Sequence, residues 1–524
     1  MIYDGNGGEP FKGSIAINAD TIAAIGVIEN ADAGEVIDAG GMALAPGFTN
    51  MLSWAVESLI QDGRSQSDIR QGVTLEVMGE GESMGPLNPR MKKQMKDGQG
   101  NIKFDVYWNT LGEYLAGLEK KGISTNVASF VGATTVRDYV IGEDDRAPTP
   151  AELDSMRLLV RQAMDEGALG VGSSLIYPPA FFAKTEELIA LCTEAGKSGG
   201  SYISHMRSEG NKLNEAVDEL IRIAREAKVH AEIYHLKAGG RLNWPKMDSV
   251  IRQVENARAA GIDVTADMYT YEAGATGLTA SFPPSLQDGG FGKLRERLKD
   301  PSIRMQMKKA MNTDAKDWEN LYFGANGAKG VLLLSFKQDS LKKFTGKTLA
   351  QAAEIRGTSP EETAMDLIIQ DSTRVGAAYF LMTEDNIRKQ IQLPWVSFGS
   401  DEGSYTNEGV FLKSNAHPRA YGNFARVLGK YTRDEKLLTL QQAIYKLAKL
   451  PAMNLKIQKR GEIKTGNYAD IVIFDPAKII DHSTYDKPHQ YATGMIDVFV
   501  NGVMVLKNGE HTGATPGRFV KKMR

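Results

Sequence analysis

The sequence predicts an α/β chain with three parts: a closed (β/α)8 TIM-like barrel, a small β-sandwich formed by both chain ends, and an inserted helical segment. Three observations predict it. Strand-like and helix-like stretches alternate through the middle of the chain, and repeated βα units mean a parallel sheet with helices outside. Both chain ends read as short strands, with the whole barrel between them. One charged stretch breaks the alternation.

Residues 1–45 are the expected first part of the sandwich. "GSIAINAD" alternates, with Ile15 and Ile17 on one face, and "TIAAIGVI" follows after a turn. The barrel is expected over 46–455, starting where Pro46-Gly47-Phe48 runs into an apolar stretch. "GALGVGSSLIY", "SYISHMR", "HAEIYHLKA" and "IDVTADMYTY" read as strands. Between them, "KTEELIALCTEAGKSGG" reads as a helix ending in glycines. Leu213, Val217, Leu220 and Ala224 form a stripe at the helical period, as do Met247, Val250, Val254 and Ala257. A closed barrel suits this length better than an open sheet, and no G-x-G-x-x-G or P-loop argues for a nucleotide. Residues 280–345 are charged and helical, and are expected as an insertion in a βα loop on the side where barrels carry active sites. Residues 456–524 are the expected second half of the sandwich and the C-terminal tail. "ADIVIFDP" is a buried strand, and "DVFVNGVMVLKNGEH" is a hairpin whose Asn501-Gly502 supplies the positive φ angles of a type I′ turn.

Composition narrows the function. The chain has 524 residues, 42% hydrophobic and 24% charged, which is ordinary globular usage. A net charge of -3 without a basic run points away from nucleic acid and anionic membranes. Cys192 stands alone, so neither a disulfide framework nor a cysteine-rich zinc module is expected. No apolar run reaches about 18 residues, so no membrane span is expected. The start lacks a basic segment followed by an apolar one, so no signal peptide is expected. The cytoplasm is the expected compartment, with the periplasm or the exterior as the alternative if an upstream segment has been trimmed.

Barrel active sites use residues at the C-terminal ends of strands. His205 ends "SYISHMR", His235 ends "HAEIYHLK", Asp401 follows "WVSFGSD" and Glu80 follows "VTLEVMGE". Two histidines and a glutamate can supply three ligands to zinc, with one position open to water and an aspartate to manage the proton. Each has an ordinary alternative. A histidine at a strand end can be a hydrogen-bonded structural residue, "GSD" can be a turn or helix cap, and the glutamates of "GEGES" can be solvated loop charges.

Several longer segments carry a family resemblance. They are "PGF" (46–48), "QGVT" (71–74), "SHMRSEG" (204–210), "HLKAGG" (235–240), "DVTADMYTYEAGATGL" (263–278), "GSDEG" (399–403), "HPRAYGNFARVLGKY" (417–431), "ADIVIFDP" and "NGEHTGATPGR". In this order they span nearly the whole chain, which resembles the N-acyl-D-amino-acid deacylases (D-aminoacylases) of the amidohydrolase superfamily of metal-dependent hydrolases. The resemblance implies that His205 and His235 bind the catalytic zinc and that Asp401 is the general acid/base. It also implies that Lys237, Tyr269 and Arg419 hold the substrate carboxylate, a clamp whose chemistry suits that anion. His417 is expected to orient Arg419. His230, His482, His489 and His511 are expected to be structural or surface residues.

The chain departs from the family at two places. The family has His-x-His at the end of the first strand and a cysteine after the second. Here stand Leu52-Ser53-Trp54 and "GEGE". Residues i and i+2 of a strand face the same way, so Leu52 and Trp54 point where those histidines would, and neither ligates a metal. Trp54 is expected as a wall of the pocket. Carboxylate oxygen is an acceptable zinc ligand, so Glu80, or as second choice Glu82, is expected to complete a site holding one Zn2+ per chain.

The expected activity is hydrolysis of the amide bond of an N-acyl-D-amino acid. The rivals are an amidohydrolase acting on a dipeptide, a cyclic amide or another amide, and a catalytically inactive binding protein on the same scaffold. The expected partner is a small-molecule amide, with no nucleic acid and no membrane. No oligomeric state is assigned.

Overall fold

The computed structural model describes residues 1–28 and 32–522. Eight strands make the barrel: β1 (Phe48–Asn50), β2 (Val73–Met78), β3 (Asn126–Ser129, resuming at Val131–Gly132), β4 (Gly170–Ser174), β5 (Ser201–His205), β6 (Ala231–Ile233), β7 (Val264–Met268) and β8 (Val396–Phe398). Each pairs in parallel with the next. β3 pairs with β2 through its first segment and with β4 through its second, so the break at Phe130 is a change of neighbour. The ring closes just beyond β1 and β8. Met51 N donates to Phe398 O (3.1 Å), Asp401 N to Leu52 O (2.8 Å) and Trp54 N to Glu402 O (2.9 Å).

β2, β4, β5 and β7 are buried along their whole length, as strands of a parallel sheet covered on both faces must be. Leu52, Leu75, Val77, Ile203 and Tyr234 belong to a compact cluster separate from the larger core, and strand alternation places it inside the barrel. The larger core includes the inner faces of helices α1 (Pro150–Glu166), α2 (Thr185–Gly196), α3 (Leu213–Ala227) and α4 (Met247–Ala259). The stripes expected on α3 and α4 are the faces that are buried. α1 starts with a Thr149–Glu152 capping box and Pro150 in its first turn, and stops at Gly167 in the left-handed region.

Both chain ends meet in one antiparallel sheet in which Ala43–Pro46 pairs with Ile471–Phe474. The Ser14–Asn18/Thr21–Gly26 hairpin packs Ile15, Ile17 and Ile25 against this sheet's Ile471, Ile473 and Phe499. Asn501 (φ 48°) and Gly502 (φ 79°) make the expected turn. The final stretch leaves the sandwich for the barrel, where Val520 N donates to Val127 O (2.8 Å).

The insertion extends beyond 280–345. Strands Ala273–Gly277, Val331–Ser335 and Gly376–Phe380 form an antiparallel sheet, and the helices around them share a core of their own. "AGATG" has too little apolar contrast to read as a strand, and Leu349–Arg356 and Pro360–Asp371 resemble the barrel's own helices. The chain returns through α5 (Glu384–Ile391) to β8. Among the described residues, no helix is long and apolar enough to cross a membrane.

One glycine sets the exit from β2. Gly79 has φ +103°, and a Cβ there would lie 2.3 Å from the Phe130 carbonyl oxygen. Gly79→Ala is expected to destabilise the protein by about 2–4 kcal/mol, combining left-handed strain with a backbone clash. Denaturant unfolding checks it; an unchanged midpoint would remove Gly79 from the list of residues that place Glu80.

Candidate metal centre and active site

Glu80 lies two residues past β2, His205 ends β5, and His235 lies two residues past β6. The three meet at the C-terminal mouth of the barrel. Glu80 Oε1 is 3.1 Å from His205 Nδ1 and 2.9 Å from His235 Nε2. One ligand atom from each of the three lies within 4.8 Å of the other two, and no other such group of His, Cys, Asp and Glu occurs among the described residues. Their exposures are 5%, 5% and 2%. Glu82 lines the cavity but stands outside this group.

Behind the imidazoles is a residue that was not singled out from the sequence. Glu209 Oε1 is 3.0 Å from His235 Nδ1 and accepts from Lys237 Nζ at 2.6 Å. Its Oε2 is 3.5 Å from His205 Nε2, a buried nitrogen without a hydrogen-bond partner. Burial raises the Glu80 and Glu209 carboxyls, but the neighbouring imidazoles, joined at Glu209 by Lys237, outweigh it and hold both well below the usual range. Burial and Lys237 push His235 down, yet Glu209 and Glu80 lift it to about 10. Glu319, from the insertion, accepts from the Glu209 amide at 2.5 Å, and burial together with the Glu209 charge pushes its carboxyl up to about 8.

This donor set fits a metal ion. Two imidazole nitrogens and a carboxylate oxygen converge, a combination zinc accepts. Glu209 sits at the far nitrogen of His235, as the carboxylate partners of metal-binding imidazoles do.

Barrel closure brings a second group beside the first. Asp401, at φ 52°, is ion-paired with Arg419 (Oδ2 to Nη2, 2.8 Å), whose Nη2 also donates to the Asp401 carbonyl (2.6 Å). Burial and the Glu80 charge raise the Asp401 carboxyl against the pull of Arg419. The Trp54 indole N–H donates to Glu80 Oε2 (2.9 Å) and Asp401 Oδ1 (3.2 Å). Trp54 therefore joins the two carboxylates as well as lining the pocket. Arg419 Nε and Nη1 and Tyr269 Oη are buried without hydrogen-bond partners, and the guanidinium lies 4.3 Å above the Tyr269 ring. Lys237 Nζ contacts His235 Nδ1 (2.7 Å) in addition to Glu209. His417 Nδ1 accepts from the Arg419 backbone amide at 3.1 Å, so it fixes the chain at Arg419.

All of these except His417 and Glu319 line one cavity of about 530 Å³. His489 lines it as well, hydrogen-bonded to Tyr421 and Ser414. An adjoining chamber of about 620 Å³ shares Trp54, Glu82, Tyr177 and Arg374 with the first, and its walls include Met84, Leu87, Met91 and Phe282.

Convergent imidazoles and carboxylates at the mouth of a closed parallel barrel define a metal-dependent hydrolase. Residues 35–510 match the amidohydrolase family. The chain belongs to that family and, within it, to the N-acyl-D-amino-acid deacylase branch. The D-aminoacylase of Alcaligenes xylosoxydans xylosoxydans is 30% identical over 99% of this chain and 96% of its own. The N-acyl-D-aspartate deacylase of the same organism is 30% identical over 99% and 93%. Among solved structures, the N-acyl-D-glutamate deacylase from Bordetella bronchiseptica, complexed with zinc and a phosphonate inhibitor that mimics the tetrahedral intermediate, is 26% identical. It superposes with a TM-score of 0.81, covering 99% of this chain and 98% of that one. A D-aminoacylase with a binuclear metal centre superposes equally well, at 30% identity and the same coverage.

Glu209→Gln is expected to weaken metal binding by about 10- to 100-fold, the usual effect of removing a partner of a metal-binding imidazole. Titration against a chromophoric chelator measures it. Wild-type affinity in this variant would reduce Glu209 to a partner of Lys237 alone.

Proposed function

We propose that this protein is a zinc-dependent amidohydrolase that cleaves the amide bond of N-acyl-D-amino acids, releasing a carboxylate and a free D-amino acid. The observation that carries the reading is the placement of Glu80 Oε1 between His205 Nδ1 and His235 Nε2, with Asp401 joined to the same glutamate through Trp54. Glu80, His205 and His235 hold one zinc ion, the metal present in the Bordetella bronchiseptica relative.

A metal in this position supplies a Lewis acid at the amide carbonyl and lowers the pKa of water toward neutrality. The remaining work falls to the chain's own groups. Asp401 Oδ1 takes the proton of the attacking water and returns it to the leaving nitrogen, which amide cleavage requires because an amide anion is too poor a leaving group. The Arg419 ion pair keeps Asp401 aimed into the cavity. The substrate carboxylate binds at the free nitrogens of Arg419 and at Tyr269 Oη, with Lys237 adding positive charge beside them. Buried cationic donors bind carboxylate strongly because water does not compete. The chamber beyond Trp54 and Tyr177, walled by methionine and phenylalanine, takes the acyl group.

Metal analysis of purified protein is expected to find one zinc per chain, and Glu80→Ala to abolish its binding. Across N-acetyl-D- and N-acetyl-L-amino acids, dipeptides and hydantoins, turnover is expected for the N-acyl-D-amino acids. Well under one zinc per chain, with no hydrolysis of any N-acyl amino acid after zinc is added, would sink the proposal. Turnover of cyclic amides alone would replace it with a hydantoinase-like activity. A second panel fixes the amino acid and lengthens the acyl group; kcat/KM is expected to rise from acetyl to a longer straight chain, and a fall would remove the acyl group from the second chamber.

A further inference from the structure

We propose that Trp54 is a positioning residue whose indole N–H stands in for a second metal ion, holding Glu80 and Asp401 together and confining the site to one metal. The inference rests on the one-zinc reading above.

Glu80 Oε2 and Asp401 Oδ1 are carboxylate oxygens on opposite sides of the barrel seam, 2.9 and 3.2 Å from a single hydrogen-bond donor. Glu80 is buried and Asp401 largely so, and the Glu80 charge raises the Asp401 carboxyl. Two such oxygens facing one another repel unless a shared hydrogen-bond donor or a cation lies between them. The indole nitrogen, within hydrogen-bonding distance of both, occupies the gap between them.

Other donors leave this gap to Trp54. Arg419 reaches Asp401 from the far side, through Oδ2. The two imidazoles take Glu80 Oε1 and leave Oε2 to the indole. Lys237 is held by Glu209 and His235. The backbone fixes the indole from both flanks, because Trp54 N donates to Glu402 O and Asp401 N to Leu52 O. The donor therefore moves with the strand that carries Asp401.

A neutral N–H differs from a metal ion in two ways. It orients both carboxylates without neutralising either, so Asp401 keeps its charge to accept a proton. It also fills the space with a ring that ligates nothing. Position 52, on the same strand face, is Leu52, which adds no ligand either. Among the described residues, the one group of three that could hold a metal ion is Glu80, His205 and His235, and Asp401 is outside it.

The test separates the donor from the wall. Trp54→Phe keeps an aromatic ring and removes the N–H. Placing benzothienylalanine at position 54 by codon reassignment keeps the bicyclic shape and exchanges only N–H for sulfur. Both are expected to bind zinc at least tenfold more weakly than wild type in a chelator competition, and to lose at least tenfold in kcat with KM within threefold. The double variant Leu52→His/Trp54→His is expected to raise the zinc content from one to two per chain. Zinc affinity and kcat of the benzothienyl variant within twofold of wild type would overturn the proposal, even if Trp54→Phe failed to fold. Two zinc ions in wild type would overturn it as well. Wild type that binds one zinc and hydrolyses N-acyl-D-amino acids while the variants match it would leave the proposed function standing and remove this role of Trp54. Wild type without zinc or activity would remove both.

Discussion

Glu80 and Glu209, both buried, and the largely buried Asp401 bring three carboxylates into one barrel mouth, and taking each out of water costs several kcal/mol unless positive charge is brought to it. Much of the surrounding architecture meets that demand. Arg419 serves Asp401, Lys237 serves Glu209, and two imidazoles serve Glu80. With Arg419 and Lys237 permanently charged, the third positive charge falls to His235, which Glu209 and Glu80 lift to about 10. Glu319 adds no charge at neutral pH, because its carboxyl is pushed up to about 8. A metal ion held by His205, His235 and Glu80 would take over the charge that the His235 proton supplies.

Holding those groups requires backbone that ordinary strands do not provide. β2 must turn sharply after Met78, and Gly79 does so where a side chain would strike the Phe130 carbonyl. His235 and Asp401 adopt left-handed conformations, at φ 35° and 52°, which cost a non-glycine residue about 1–3 kcal/mol. Each is held there by its own amide: His235 N donates to Asp267 Oδ1 (2.9 Å) and Asp401 N to Leu52 O (2.8 Å). The last bond is also part of the barrel seam. Closing the barrel and aiming the proton-transfer group are thus one event, and a looser seam would misplace Asp401 before it unfolded anything.

That His205, His235, Glu80 and Asp401 stand together was legible in the sequence because each follows directly on an apolar run, where a barrel exposes its chemistry. The turn at Asn501-Gly502 was legible for a similarly local reason. Glu209 was less so. It lies four residues beyond His205 in a charged loop, and its approach to His235 depends on where β6 runs alongside β5. Glu319 carried no signal at all, since it reaches the site only through the packing of the insertion. The extent of that insertion was hidden by small residues in one strand and by helices patterned like the barrel's own. The bond from Trp54 to two carboxylates was invisible for the same reason: the sequence shows an aromatic residue at a ligand position, but only barrel closure shows which oxygens its nitrogen meets.

Leu52 and Trp54 share a strand direction but occupy different layers, so their substitutions have different consequences. Leu52 is fully buried with Leu75, Val77, Ile203 and Tyr234. An imidazole there would enter an apolar layer without a partner and lose free energy unless a metal met it. Trp54 sits above that layer at the mouth, half-buried, with its nitrogen among carboxylates. An apolar residue below and a donor above form a consistent pair: the lower one seals the floor against water and metal, and the upper one orients the carboxylates that remain. Reversing only one of them would leave either a stranded imidazole or an unsealed gap between Glu80 and Asp401. A return to a two-metal centre therefore requires both positions to change together.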